Sequence, residues 1–177
     1  MAHYLKRAVC SHKGMEMDGR FLVAEHNGSY VLKLVGDVRL NLCSTIDQFV
    51  ERMFVDVSCQ SVVVDLTETE GLDSTTLGLL AKMALFVRKR LHLRPLIVTG
   101  DEGIIRLLKS MGLEQIFDIQ RTPMANAVAD CELQAQTMDE QTARAKVLQA
   151  HQVLMTLNQQ NREAFRDLVD NLGKDVK

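Results

Sequence analysis

The sequence predicts an α/β fold in which a mixed, partly parallel β-sheet carries helices on one face and a long helical extension follows at the C-terminus. Residues 61–66 are mostly apolar and β-branched, which is typical of a short strand covered on both faces. Residues 77–91 then carry apolar side chains at helical intervals. Strands and helices alternate from here, and this order implies right-handed crossovers between parallel strands.

The chain divides into three predicted parts. Residues 1–18 show little periodicity and are expected to form a loose N-terminal arm. Residues 19–135 are expected to form the α/β domain, and residues 136–177 the C-terminal helical extension.

The domain is expected to open with a β-hairpin and a helix. Residues 21–24 and 30–35 flank a turn that contains Asn27-Gly28, a preferred pair for tight hairpin turns. A helix follows at about residues 44–55, where apolar side chains recur every three or four positions, and Ser44 is its candidate N-cap.

The junction between the central strand and the next helix carries the candidate functional residues. Asp73 or Ser74 can cap the helix by accepting a hydrogen bond from a free backbone N–H group, so Thr75 and Thr76 fall in its first turn. A phosphate on such a hydroxyl would add about 1.5 to 2 negative charges at the positive end of the helix dipole. The same residue types are also ordinary helix caps, so spacing alone leaves a structural role open.

Further elements are expected after this helix. Residues 95–100 fit a strand, and residues 100–103 fit a turn followed by an acidic helix start. Thr122-Pro123 then predicts a helix to about Leu133, with threonine as the cap and proline at the first helical position. This helix is expected to close the domain.

Residues 138–172 are predicted to form one long helix, because they are rich in Gln, Ala, Arg and Asn and contain no proline. An imperfect heptad seam runs along them, with Asn161 as a polar, register-setting position. The seam consists of Val147, Leu154, Asn161 and Leu168, with Ala150, Leu157 and Ala164 three residues further along each repeat. Three arrangements stay open for this stripe: it is covered by its own domain, by a second copy in a homodimer, or by a partner.

Composition points to a protein that binds other proteins. The chain has 177 residues, 46% of them hydrophobic, a formal charge of −2, no tryptophan and two tyrosines. A general nucleic-acid binder needs a basic surface with stacking aromatic side chains, so no nucleic-acid partner is expected. No apolar run approaches the roughly 20 residues that cross a bilayer, and no signal-peptide core is present, so no membrane insertion is expected. A cytoplasmic location is predicted, which also suits four widely spaced cysteines as reduced thiols.

The sequence predicts no metal site, no cofactor and no independent enzyme activity. Asp65 ends a strand, as phosphoacceptor aspartates do, but it lacks the second aspartate and the acidic pocket that a metal ion needs. Glu68, Glu70 and Asp73 are expected to form a solvated acidic loop. The five histidines are scattered, with no spacing typical of ligands or catalytic bases.

The segment LDSTTLG at residues 72–78 resembles the signature of STAS domains, in particular of bacterial anti-sigma factor antagonists, whose loop typically has the sequence Asp-Ser-Ser-Gly-Leu-Gly. The register matches at Asp73, Ser74, Leu77 and Gly78. Residues 31–38 resemble the strand before the family's first helix, residues 95–100 the strand after the signature helix, and residues 104–119 the third helix with its short closing strand. The resemblance spans roughly residues 21–133.

The resemblance implies a phosphoacceptor and a binding surface. In this family a partner kinase phosphorylates the second residue after the loop aspartate, which is Thr75 in this chain, and Ser74 and Thr76 are rival acceptors. Threonine replaces the usual serine, and Thr76 stands where the family often has glycine. The implied partner-binding loop consists of Asp73, Ser74, Thr75, Thr76, Leu77 and Gly78.

The resemblance also implies partners. An anti-sigma factor, or a serine/threonine kinase of the switch type, would be held while the loop is unphosphorylated, and a serine/threonine phosphatase, carried in some bacterial systems on a response regulator, would reset the switch. The alternative is a STAS subunit that docks without modification in a larger assembly, such as a stressosome-like particle or a lipid-transport ATPase complex.

Overall fold

The computed structural model describes residues 19–121 and 131–174, so the predicted N-terminal arm lies outside the described residues. The strands are β1 (Arg20–His26), β2 (Ser29–Val38), β3 (Ser61–Leu72), β4 (Leu96–Val98), β5 (Asp118–Gln120) and β6 (Cys131–Leu133). The helices are α1 (Leu40–Val55), α2 (Ser74–Leu91), α3 (Glu102–Ser110), α4 (Glu140–Met155) and α5 (Gln159–Lys174), with a 3₁₀ turn at Leu113–Gln115.

The strands form one mixed sheet in the order β5-β4-β3-β2-β1-β6. Neighbours from β2 to β5 are parallel, and β1 is antiparallel to both β2 and β6. The predicted α/β fold with a partly parallel sheet is confirmed.

The core lies on one face of the sheet. Val62, Val64 and Leu66 of β3 are at most 2% exposed and belong to one hydrophobic cluster with apolar residues of α1 and α2. Lys33 and Asp65 lie on the other face, where their charged groups are 3.8 Å apart. β3 is therefore packed against helices on one face only, and not on both as its apolar run indicated.

The opening hairpin is confirmed. His26 pairs with Ser29, and Asn27 and Gly28 between them have φ values of 50° and 78°. Two positive φ values define the type I′ turn, whose twist matches that of the flanking strands. A side chain at Gly28 would also collide with the Ser58 carbonyl oxygen, 1.9 Å from the position of a Cβ atom.

β3 is longer than predicted, because β2 continues alongside it. Val35 pairs with Glu68 and Val38 pairs with Leu72, after two register shifts. The predicted acidic loop is therefore wrong for Glu68 and Glu70, which belong to this strand, and Glu68 forms an ion pair with Lys33 across it.

α1 begins four residues earlier than the predicted cap. Arg39 occupies the N-cap position without a side-chain bond to the helix N–H groups, and Ser44 is buried within the helix. The prediction of Ser44 as a cap is wrong. Leu42 and Cys43 before it are buried in the core and belong to the first turn of the helix.

The elements after α2 follow the expected order as far as Gln120. Asp101 caps α3 by accepting a hydrogen bond from the Ile104 backbone N–H at 2.8 Å, as the acidic helix start indicated. The helix predicted from Thr122 falls largely at residues 122–130, which lie outside the described residues. Its predicted end is wrong, because Cys131–Leu133 form β6, which pairs with the available edge of β1.

The C-terminal extension is a helical hairpin and not one long helix. α4 ends at Met155 and α5 begins at Gln159. The side chain of Asn158 accepts a hydrogen bond from the Asn161 backbone N–H at 2.7 Å and so starts a new helix. The chain then reverses, and α4 packs against α2 of the same molecule. On α4 the chain's own domain covers the apolar stripe at Ala150 and Leu154, whereas Ala164 and Leu168 on α5 are exposed, so a second copy or a partner stays open for that part.

Candidate functional site

The junction between β3 and α2 consists of a single residue, Asp73. Its backbone is extended, its carboxylate accepts a hydrogen bond from the Thr76 backbone N–H at 2.7 Å, and its carbonyl oxygen accepts one from the Leu77 N–H at 3.1 Å. Asp73 is therefore the cap, and Ser74 is the first helical residue. Residues 74–78 of the implied partner-binding loop therefore lie in the first turns of α2, as the sequence indicated for Thr75 and Thr76.

The three candidate hydroxyl groups have different surroundings. Thr75 is 5% exposed and Thr76 is fully buried. Thr76 Oγ1 lies 3.6 Å from Cys43 Sγ, and burial raises the pKa of this thiol to about 12. Ser74 is half-buried, and its Oγ lies 2.8 Å from Nε2 of His151 on α4. None of the three side chains is freely displayed.

His151 joins α4 to the start of α2. Its Nδ1 lies 2.7 Å from the Val147 carbonyl oxygen, which can only accept, so Nδ1 donates, and its Nε2 is hydrogen-bonded to the Ser74 hydroxyl. The ring also packs edge-to-face on Phe165 of α5, with centroids 4.7 Å apart. No spacing in the sequence indicates a role for this histidine, because its partner Ser74 lies far away along the chain.

Gly78 lets the two helices approach closely. A Cβ atom at this position would lie 2.4 Å from the Ala150 carbonyl oxygen and 2.6 Å from the Ala150 Cβ atom. Ala150 is 1% exposed, and Leu154 one turn later is fully buried. Residues 77–81 are buried on every side, because the sheet covers one side of α2 and α4 covers another.

A buried charge cluster joins three helices. Asp47 of α1 is 6% exposed, lies 2.9 Å from the Lys82 ammonium of α2, and also forms an ion pair with Lys146 of α4. We name these three residues the Asp47 cluster. Burial alone would raise the pKa of the Asp47 carboxyl, but the hydrogen bonds from Lys146 and Lys82 outweigh burial and hold the pKa below its ordinary value. Lys82 also pairs with Glu51 at 2.6 Å.

The part of the chain that the structure describes contains neither a metal site nor a membrane-spanning helix. No group of three or more His, Cys, Asp or Glu side chains is placed to hold a metal ion within residues 19–121 and 131–174. No helix in these same ranges is long and apolar enough to span a membrane.

Comparison with known proteins gives a family match and similar folds. A family model described as the STAS domain matches residues 20–131. No curated protein sequence matches this chain significantly. The structure of an anti-sigma factor antagonist from Mycobacterium paratuberculosis is similar, with a TM-score of 0.50, 23% identity, and coverage of 59% of this chain and 87% of that chain.

Two structures of the protein SpoIIAA are also similar. The anti-sigma factor antagonist SpoIIAA in its unphosphorylated form gives a TM-score of 0.49 at 12% identity, covering 58% of this chain and 89% of that chain. The Bacillus cell fate determinant SpoIIAA in the phosphorylated form gives 0.48 at 12% identity, covering 57% and 91%.

Proposed function

Because this chain belongs to the STAS domain family, we propose that it is an anti-sigma factor antagonist, a switch that binds a regulatory protein through the N-terminal half of α2. The mycobacterial protein of similar fold carries that name, and we transfer the role to this chain. In the proposed cycle the unphosphorylated chain holds an anti-sigma factor or a serine/threonine kinase of the switch type. Phosphorylation releases this partner, and a serine/threonine phosphatase, carried on a response regulator in one version of the cycle, restores binding. The chain acts as a binding protein and not as an enzyme.

The geometry of the β3–α2 junction is the observation that carries the proposal. Asp73 caps the helix in the place expected for the loop aspartate, and Thr75 follows two residues later in the first turn of α2. We therefore propose Thr75 as the phosphoacceptor. Ser74 and Thr76 stay rivals, although Ser74 is bonded to His151 and Thr76 is fully buried.

A phosphate on Thr75 would change this surface by charge and by size. It would add about 1.5 to 2 negative charges next to the Asp73 carboxylate, which already accepts the hydrogen bond of the Thr76 N–H. The two anions repel each other, and both must be desolvated at any interface formed here. A loss of partner affinity of at least tenfold, about 1.4 kcal/mol per factor of ten, is the expected consequence.

The second candidate function is a STAS subunit that docks without modification in a larger assembly, such as a stressosome-like particle or a lipid-transport ATPase complex. Burial of the candidate acceptors favours it, since Thr75 is 5% exposed and Thr76 is fully buried. In this case the helices serve as a fixed contact surface and no kinase acts on the chain.

Peptide mass spectrometry of the chain purified from its own cells, with and without phosphatase treatment, tests the two candidates. The switch predicts a gain of about 80 Da on the peptide that contains Ser74–Thr76, removed by phosphatase and absent from the Thr75→Ala variant. Phosphate that persists in Thr75→Ala would show that Ser74 or Thr76 is the acceptor. An unmodified chain in a stable complex under every growth condition would favour the docking subunit.

Partner binding gives a further distinction. A phosphate-dependent switch predicts that Thr75→Glu weakens binding of a recovered partner while Thr75→Ala leaves it intact. Pure docking predicts similar effects from both substitutions, because each then acts only through the shape of the surface.

A further inference from the structure

The surface proposed above for partner binding is occupied by the chain's own C-terminal hairpin. α4 lies against α2 at Gly78, where a single added Cβ atom would meet the Ala150 backbone at 2.4 Å. At the start of α2, the Ser74 hydroxyl is bonded to His151. Ser74 and Gly78 lie one turn apart on the face of α2 that meets α4, and Thr75, next to Ser74 in the sequence, is 5% exposed. A kinase or a partner protein therefore cannot reach this face of α2 while α4 stays in place.

We propose that α4 and α5 form a displaceable cover over the N-terminal half of α2, so that this state is closed and a kinase or partner binds after the hairpin moves. That the covered face binds a partner rests on the proposed function. That the hairpin opens as a unit while the sheet stays folded does not depend on it.

The hairpin is an addition to the domain that the family shares. The family model ends at residue 131, and the mycobacterial structure is covered over 87% of its length by 59% of this chain. α4 begins only at Glu140. The family model therefore covers β1 to β5 and α2 without these two helices, so their departure leaves the elements that the family shares in place.

The chain before α4 provides a hinge. Thr45 of α1 is bonded to the Gln134 carbonyl oxygen at 3.0 Å and to the Gln136 backbone N–H at 3.1 Å, which anchors this segment to the domain. Residues 137–139 have no regular structure, and two of the three are exposed. The hairpin can rotate about these residues without breaking the pairing of β6 with β1.

Leu154 belongs to the hydrophobic core, Val153, Leu157 and Phe165 pack against it, and a few polar interactions add to these apolar contacts. Lys146 pairs with Asp47, His151 bonds Ser74, and the Asn161 side chain donates to the Met111 carbonyl oxygen at 2.9 Å. Within the described part of α5, Asn161 is the one buried side chain. An element with few buried contacts belongs to the part of a protein that opens at a lower free energy than the core.

Hydrogen exchange on the full chain tests the cover with a matched pair of substitutions. Ala150→Leu adds bulk at the closest approach of α4 to Gly78 and leaves α2 itself unchanged. Ala145→Leu makes the same change at an exposed position of the same helix. Overpacking costs about 1 to 3 kcal/mol, which corresponds to about 5- to 140-fold faster exchange.

The expected result is that α4 and α5 amides of the natural chain exchange together, faster than those of β3. Ala150→Leu should accelerate them by that factor and leave β3 unchanged, while Ala145→Leu should behave like the natural chain. Exchange of α4 and α5 only together with β3 would overturn the proposal, since the hairpin would then be an inseparable part of the fold.

Phosphate occupancy of the Ser74–Thr76 peptide in the native cells provides the second measurement. The cover predicts several-fold higher occupancy in Ala150→Leu than in Ala145→Leu, and equal, measurable occupancy in both would overturn it. If no variant carries phosphate, the proposal that the chain is switched by phosphorylation is wrong. Hydrogen exchange alone then decides whether the hairpin is displaceable.

Discussion

Asn161 is expected to hold the hairpin closed, and its replacement gives the sharpest test of how the extension is fixed. The side chain is 2% exposed, and its Nδ2 donates to the carbonyl oxygens of Met111 and Leu154, both at 2.9 Å. Asn161→Ala removes both bonds. Leu154 keeps a second donor, the Leu157 N–H at 3.0 Å, whereas no other bond to the Met111 carbonyl is found among the described residues.

The magnitude follows from these contacts. The bond to Leu154 lies within the hairpin, so hairpin opening breaks only the bond to Met111. Asn161→Ala leaves the Met111 carbonyl without this donor in the closed state, which costs about 2 kcal/mol. Opening of α4 and α5 should then be about 30-fold more frequent.

Native-state hydrogen exchange of the α5 amides measures this loss directly. Asn171→Ala is the matched control, because Asn171 lies on the same helix with an exposed side chain and gains the same propensity. Asn161→Asp keeps the shape but puts oxygen against two carbonyl oxygens, so it should be more severe than alanine. Equal exchange rates in Asn161→Ala and Asn171→Ala would refute the conclusion that the hydrogen bonds of Asn161 hold the hairpin closed.

Three further predictions concern the packing of α2 and the ionisable groups beside it. Gly78→Ala should destabilise the hairpin by about 1 to 3 kcal/mol in urea unfolding, because its Cβ atom would collide with Ala150. Gly173→Ala is the control: nothing lies within 4 Å of its Cβ atom, so it should stabilise the chain by up to about 1 kcal/mol. A stabilising effect of Gly78→Ala would contradict the close approach of the two helices. The lowered pKa of Asp47 means that its carboxylate stabilises the closed state above the ordinary value of 3.8 and that this contribution is lost as pH falls through the lower folded value. Exchange of α4 should therefore accelerate below about pH 4 in the natural chain and lose this component in Asp47→Asn; an acid response that is the same in both would count against the Asp47 cluster. Cys43, whose pKa burial raises to about 12, should resist thiol reagents until urea is added, while exposed Cys131 reacts at once; similar rates for the two would show that the region beside Thr76 is open.

Local chemistry made part of the structure predictable. The Asn27-Gly28 turn depends on residue types that tolerate a positive φ, and the residue pair alone located it. The cap of α2 depends on a side chain that accepts from a free N–H group, which left Asp73 or Ser74, and the structure has Asp73. The break after Met155 had a local signal too. Asn158 is a good cap residue, although the composition of residues 138–172 predicts one long helix.

The rest depended on contacts between distant parts of the chain. β3 continues to Leu72 because β2 offers it a partner, and no property of residues 67–72 alone indicates this. The pairing of Gly78 with Ala150 joins residues far apart in sequence, and one sequence without relatives cannot show that two small residues meet. Asn161 was correctly singled out as a polar position within an apolar stripe, but it bonds its own domain and not a second helix of a coiled coil.

In the proposed cover, the short connection at residues 137–139 determines how a partner competes for α2. A cover tethered this closely is present at a constant effective concentration, about millimolar for a short linker, whatever amount of the chain the cell contains. The response to a partner therefore depends on the partner's concentration and on the closing equilibrium, and the apparent dissociation constant equals the intrinsic one divided by the open fraction. If one molecule in a hundred is open, a partner with nanomolar intrinsic affinity binds at about 100 nM, and dilution of the chain does not shift this threshold.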